Sequence, residues 1–265
     1  MSALKRNCVH VTGHGERTIV FGHGFGSDQT GWRRVLPRFE DRYAVVTYDV
    51  TGLGRSERAA YDPARYDSLN QHASDLLQIC DELRLSRVSY VGHSAGGMIG
   101  ALAAIREPER FEKLALIGAS PHYIDEPDYT GGLKRAQVER VVEAISEDYR
   151  SWYTSMLPSA SQNEPGSSLV RELEQSFGLV AADVAAHFLS VIFWSDHRAD
   201  LPKVTTETLV LQAALDPWVP PLVGRYIAEH VQNGTCKLLR ARGGHYPHMG
   251  EPQQVAEALA SFLAQ

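Results

Sequence analysis

The pentapeptide Gly92-His93-Ser94-Ala95-Gly96 closes the apolar run "VSYVGH" and opens into a helical pattern, "GGMIGALAAIREP". This is G-x-S-x-G in the context of a nucleophile elbow, a sharp turn from strand to helix. Such a turn strains the backbone at the serine, and side chains at the flanking glycines would collide with the neighbouring strand and helix. It lifts the hydroxyl above the sheet and aims the N–H groups of the next helix at a reacting carbon. A merely structural turn is the competing reading, and the strand before and helix after Ser94 argue against it.

A serine hydroxyl needs a base to take its proton and a third group to orient that base. On this scaffold the acid and then the histidine follow the serine, each at the end of a later strand. Asp216 stands just past the run "TLVLQA" in a Pro-flanked loop, and His245 follows "KLLRA" behind two glycines. Both fit in order and context. The rival acids, Asp196 and Asp200, precede the strand that should carry the acid. The rival histidine, His248, follows Pro247 and leads to the last helix, which suits packing or capping. A His245–His248 metal pair lacks a nearby carboxylate or thiol to complete it, so no metal is expected.

The loop "FGHGFGSDQTGW" follows the first convincing strand and is rich enough in glycine to approach the nucleophile closely. The expected oxyanion hole is the N–H of Phe25 with that of Ala95, the residue after the serine. A dinucleotide fingerprint with Asp49 as the ribose acid fails on spacing, because Ser27 stands where the third glycine belongs. "DVTGLGRSE" fails likewise and reads as a tight loop near the site.

The elements that must position these groups are β-rich runs alternating with helical patterns, the mark of a mainly parallel sheet covered by helices. Strand candidates are "RTIVFGH", "YAVVTYD", "RVSYVGH", "KLALIGA", "ETLVLQA" and "CKLLRA". Several are continuous Val/Ile/Leu runs, as in strands buried on both faces. Helical patterns such as "LNQHASDLLQICDEL" lie between them, and "PQQVAEALASFLAQ" closes the chain. From Ala119 to Thr206 the rhythm changes to four helical stretches with no convincing strand: "LKRAQVERVVEAIS", "EDYRSWYTSML", "SLVRELEQSFG" and "VAAHFLSVIFWSD". The expectation is an α/β core of residues 1–118 and 207–265, with residues 119–206 as a helical cap.

With 265 residues, 43% hydrophobic and 22% charged, the chain is of ordinary globular composition. Its net charge of −6 and lack of a basic block make nucleic acid or an anionic membrane surface an unsuitable partner. No apolar run reaches the ~18 residues of a membrane span. The N-terminus lacks the apolar core of a signal peptide, so a cytoplasmic location is expected. Cys8, Cys80 and Cys236 are odd in number and far apart, which fits neither a disulfide framework nor a zinc cluster.

Taken together, HGFG-SDQ, the D-x-x-G-x-G-x-S loop, GHSAG, SDHRADL, the Asp216 loop and GGHYPHM resemble the RsbQ-type bacterial stress regulators. The plant karrikin and strigolactone receptors share the pattern. The resemblance covers nearly the whole chain and implies an α/β-hydrolase fold with a V-shaped four-helix cap. It maps a Ser-His-Asp triad onto Ser94, His245 and Asp216. It further implies a slow hydrolase that senses a small hydrophobic molecule and signals to a partner, for RsbQ-type members a PAS-domain regulatory protein. Candidate pocket residues are His23, His93, Trp152, Trp194, Trp218 and Tyr246, with Tyr153 beside them. Trp152, Tyr153 and Met156 fit packing of cap onto core better, and Trp194 suits wall and core equally. Phe25 has little else to pack against in its glycine loop.

The expected activity is hydrolysis of a small apolar ester or lactone with no cofactor. A metabolic carboxylesterase, a C–C bond hydrolase or a cofactor-free perhydrolase would use the same residues.

Overall fold

The computed structural model describes residues 1–240 and 243–264. Ala241, at the end of the expected strand "CKLLRA", and Gln265, at the end of the expected last helix, lie outside them. The six expected strands form β2 (Arg17–Gly22), β3 (Tyr43–Tyr48), β4 (Val88–His93), β5 (Phe111–Ile117), β6 (Glu207–Ala213) and β7 (Gly234–Leu239). One more, β1 (His10–Thr12), completes a seven-stranded sheet in the order β1-β3-β2-β4-β5-β6-β7. Among the described residues only β1 runs antiparallel, against β3. Its three residues are all exposed, so it carries no apolar signal and escapes a search for buried runs.

The inner strands are apolar throughout because helices cover both faces. Behind one face lie α1 (Ala3–Arg6), α2 (Leu69–Glu82), α3 (Ala95–Arg106) and α7 (Pro221–His230), sharing one apolar cluster with Val20, Tyr90, Leu114 and Val210. Behind the other, after the short α8 (Pro247–Gly250), lies α9 (Pro252–Leu263), which packs with Trp32, Val35 and Phe39 onto Ile19, Phe21, Val91 and Leu211. The alternation of Ile19, Val20 and Phe21 between clusters is the period of two that a strand imposes. α3 can lie close on the sheet because Gly100 has no side chain. A Cβ there would overlap the Tyr90 ring.

Between β5 and β6 stand α4 (Arg135–Ser161), α5 (Ser168–Phe177) and α6 (Ala182–Trp194). α4 is two helical segments joined at Asp148, whose φ of −152° and ψ of 88° are not helical. The Asp148 carboxylate caps the second segment, accepting from the N–H (3.0 Å) and hydroxyl (2.7 Å) of Ser151. The insert thus holds the four helical stretches legible in the sequence. Phe177, Phe188, Leu189 and Phe193 bury their side chains in the same cluster as the core below. Among the described residues no single helix is long and apolar enough to cross a membrane.

Candidate active site

β2 and β4 are neighbours, with Gly22 paired to Gly92, so their two glycine-rich loops leave the sheet side by side. Ser94 sits at the top of β4 with φ 53° and ψ −124°, a conformation that costs a non-glycine residue about 1–3 kcal/mol. The surroundings enforce it. Its N–H donates to the Ile117 carbonyl (2.8 Å) on β5, and α3 starts at the next residue. A Cβ on Gly92 would come within 2.5 Å of the Gly96 carbonyl oxygen, and one on Gly96 equally close to that of His23. Both elbow glycines are therefore fixed by contact.

His245 reaches the serine from the loop after β7, where Gly243 (φ 119°) and Gly244 (φ 53°) turn the chain back over the sheet. Its Nε2 lies 2.9 Å from Ser94 Oγ, and its Nδ1 lies 2.8 Å from Asp216 Oδ2. A carboxylate can only accept, so Nδ1 carries the hydrogen and Nε2 faces the serine as an acceptor. Asp216 is fixed in turn: Oδ1 accepts from the N–H groups of Trp218 (2.9 Å) and Val219 (3.0 Å). All three residues are at most 8% exposed.

The rival groups are engaged elsewhere. Asp196 binds Arg198 (2.5 Å), which lowers its carboxyl to about 2. Asp200 pairs with Lys203 (2.8 Å) and His197 (3.0 Å). His248 is wholly buried between the rings of Trp32 and His93, each 4.4 Å away, and burial lowers its pKa to about 3. Asp49 accepts from the N–H groups of Gln29 (2.9 Å) and Arg55 (2.8 Å), tying two loops together.

Phe25 lies in the loop beside the serine. Gly24 packs so closely that a Cβ there would come within 2.8 Å of the Ser94 Cβ. Among the described residues nothing accepts from the Phe25 N–H. The Ala95 N–H, at the first position of α3, has no acceptor within its helix. Among the described residues neither backbone N–H thus has an acceptor.

Above the serine lies a small apolar cavity. Ser94 and His245 line it, together with the expected Trp152, Trp218 and Tyr246 and with Phe25. His23, His93 and Trp194 do not. The His23 ring donates from Nδ1 to the Gly24 carbonyl (2.8 Å) and accepts at Nε2 from the Val50 N–H (2.9 Å), beneath the cavity. His93 is turned toward the His245 backbone. Trp194 faces outward, 38% exposed, with the Arg135 guanidinium 5.0 Å above its ring. Tyr153 packs inside the cap on Tyr149 and Phe177.

Tyr123, Met156 and Phe177 line the cavity without having been singled out as wall, as do Leu189, Ile192 and Phe193. The last three form a helical i, i+3, i+4 stripe on α6, visible in the sequence but indistinguishable there from a core-facing stripe. Burial pushes the Tyr123 phenol up to about 12, so it keeps its proton.

The arrangement provides a hydroxyl hydrogen-bonded to an imidazole, two backbone N–H donors and an apolar chamber, which suffices for acyl transfer. The sequence matches the model of the alpha/beta hydrolase family over residues 19–258. It is 37% identical over 258 residues to the strigolactone esterase RMS3 of Pisum sativum, covering 97% of this chain and 96% of that protein. It is 33% identical over 255 residues to the karrikin insensitive 2 receptor CA of Petunia hybrida, covering 96% and 94%. A solved hydrolase from Oleispira antarctica superposes with a TM-score of 0.95 at 33% identity, covering 99% of this chain and 96% of that one. Sequence, sheet order and strand-end loops agree, and the chain belongs to the alpha/beta hydrolase family.

Proposed function

We propose that the protein is a serine hydrolase of small apolar esters or lactones, with Ser94, His245 and Asp216 as its triad. The observation that carries this reading is the unbroken line from Asp216 through His245 to Ser94, opening into an apolar chamber. His245 Nε2 takes the hydroxyl proton as Ser94 Oγ attacks the carbonyl carbon. Asp216 holds the ring in the required tautomer and stabilises the imidazolium. The N–H groups of Phe25 and Ala95 bind the oxyanion, each contributing about 3 kcal/mol. Collapse returns the proton from His245 to the leaving alkoxide, which stays tethered when the substrate is a lactone. Water, deprotonated by the same Nε2, then releases the acyl group as a carboxylate.

We further propose that turnover serves sensing, with a PAS-domain regulatory protein docking on the cap. In support, a curated relative is named a receptor and another an esterase, and the cap supplies both cavity wall and exposed surface. The test is intact-mass analysis after incubation with a panel of small esters and lactones. An acyl adduct on Ser94, absent from Ser94→Ala, is expected. Turnover undiminished in Ser94→Ala would overturn the reading.

A further inference from the structure

His93 is buried, is not part of the wall of the cavity above Ser94, and among the described residues makes no hydrogen bond to Ser94 Oγ or Asp216. Its Nε2 lies 2.7 Å from the backbone carbonyl oxygen of His245. A carbonyl only accepts, so the hydrogen is on Nε2. Burial drives the ring's pKa well below the ordinary value, so it is neutral and has this one N–H to give. The same residue is held from the opposite side. The His245 N–H donates to the Ala160 carbonyl (2.8 Å) in the last turn of α4, where helix geometry leaves carbonyls free. Gly244 makes this approach possible, since at φ 53° a Cβ would overlap the Ala160 oxygen. His245 is therefore gripped at its C=O by the elbow and at its N–H by the cap.

Without these two bonds the His245 backbone would follow two positive-φ glycines with no hydrogen bond of its own, and the Asp216 contact would be left to place the ring. A base misplaced by ~1 Å can lose about a hundredfold in rate. We infer that His93 is a positioning residue for the base, one half of a clamp on the His245 backbone whose other half is the Ala160 carbonyl of the cap. The inference rests on the triad reading above. Its consequence is that a shift at the end of α4 changes proton transfer at Ser94, as well as the shape of the chamber. The plainer alternative is that His93 only fills space among the rings of His245, Tyr246 and His248, at 4.9, 5.5 and 4.4 Å.

The experiment compares the parent with His93→Met, which keeps volume without a donor, and His93→Gln, whose amide reaches the same carbonyl. Gly244→Ala pushes on the clamp from the cap side. Melting, steady-state hydrolysis of p-nitrophenyl acetate and the rate of Ser94 labelling by a fluorophosphonate, read by intact mass, are measured on each. His93→Met should lower kcat about a hundredfold at unchanged KM, with labelling slowed in parallel. His93→Gln should restore most of both, and Gly244→Ala should lower kcat while leaving KM in place. A folded His93→Met with parental kcat and labelling, or a His93→Gln as slow as His93→Met, would overturn the clamp. If His93→Met does not fold, His93→Asn, whose amide stops short of the carbonyl, takes its place against His93→Gln with the same two outcomes. Should the fluorophosphonate fail to label Ser94 in the parent, the triad reading itself falls. Equal labelling of parent and His93→Met removes only the clamp.

Discussion

The sheet and the cap meet at one cavity but furnish it with different things. From the strand ends come oxygen and nitrogen atoms: Ser94 after β4, Asp216 after β6, His245 after β7 and the Phe25 N–H after β2. From the cap come carbon surfaces: Trp152, Met156, Phe177, Leu189, Ile192 and Phe193. The polar atoms are over-determined, each fixed by a glycine contact, a positive φ or backbone hydrogen bonds. The walls are fixed only by size and packing, which a different side chain can satisfy as well. Changes at the strand ends should therefore alter the rate, and changes in the cap should alter which molecule reacts.

The largest effect expected lies on the sheet side. Ser94→Ala should abolish hydrolysis of p-nitrophenyl acetate with normal melting. Asp216→Asn keeps the geometry but favours the wrong imidazole tautomer, for a loss of about 10⁴ in kcat. Asp196→Asn, which breaks only an ion pair with Arg198, should change kcat little. Steady-state kinetics on the three proteins check this, and an exchange of behaviour between the two Asp→Asn variants would reassign the third member.

A second prediction concerns acid stability at and beneath the joint of the two regions. His72 stacks on Phe188 of the cap at 4.6 Å, and His93 and His248 lie below the site. Burial lowers His72 and His248 to about 3 and His93 well below its ordinary value. The unfolded chain binds these protons near pH 6.5 and the folded chain does not, so stability is complete above that pH and falls as pH drops from about 6.5 towards 3. His72 and His248 each contribute on the order of 1.4 kcal/mol per pH unit across that window, and His93 acts in the same direction. Thermal melts from pH 7.5 to 4.5 should show Tm falling steeply below pH 6.5, with a shallower fall in His72→Leu. A Tm unchanged down to pH 5 would refute it.

The same division explains what the sequence disclosed. The parallel strands, the elbow and the helical insert rest on local rules of apolar runs, glycine pairs and helical periodicity, and each could be read before any contact was known. β1 could not, being a short exposed edge strand. The parts of the site that escaped depend on which way a side chain turns. His23 and His93 sit beside the reactive loops in sequence, yet their rings point down into the backbone. Trp194 ends the helix that lines the cavity, but one residue's rotation from Phe193 carries it outside. The Leu189, Ile192 and Phe193 stripe was visible without revealing whether it faced a core or a chamber.

A third prediction sharpens the cap's role in choice. Trp152 is half-buried against Phe25, with ring centroids 6.4 Å apart, and stacks on Tyr149. Trp152→Ala should enlarge the chamber and raise kcat/KM for p-nitrophenyl octanoate relative to the acetate by about tenfold, the scale of a few methylenes in an apolar pocket. Ratios measured on parent and variant decide it. An unchanged ratio with lowered kcat on both esters would make Trp152 part of the chemistry and erase the contrast between the two regions.

The smallest effect on hydrolysis, and the sharpest separation of sensing from metabolism, is expected on the cap's outer face. Lys134 stands at the N-cap of α4 and Arg135 at its first position, both exposed, with Arg135 lying over the Trp194 ring. They occupy the opposite end of α4 from Ala160, so neither touches the cavity or the His245 loop. Acidic residues at a helix N-terminus complement its dipole, so Lys134→Glu and Arg135→Glu should not cost the fold stability. Both reverse the charge that a docking regulator would meet, and rim charges govern association rate and salt dependence. Binding of a PAS-domain regulator from the same host, followed by surface plasmon resonance, should therefore slow in association for both variants while p-nitrophenyl acetate turnover stays parental. Ser94→Ala should give the converse pattern in turnover, and should block signalling if hydrolysis is the trigger. A regulator that binds with unchanged kinetics to both charge reversals docks elsewhere, and the cap would then serve the substrate alone.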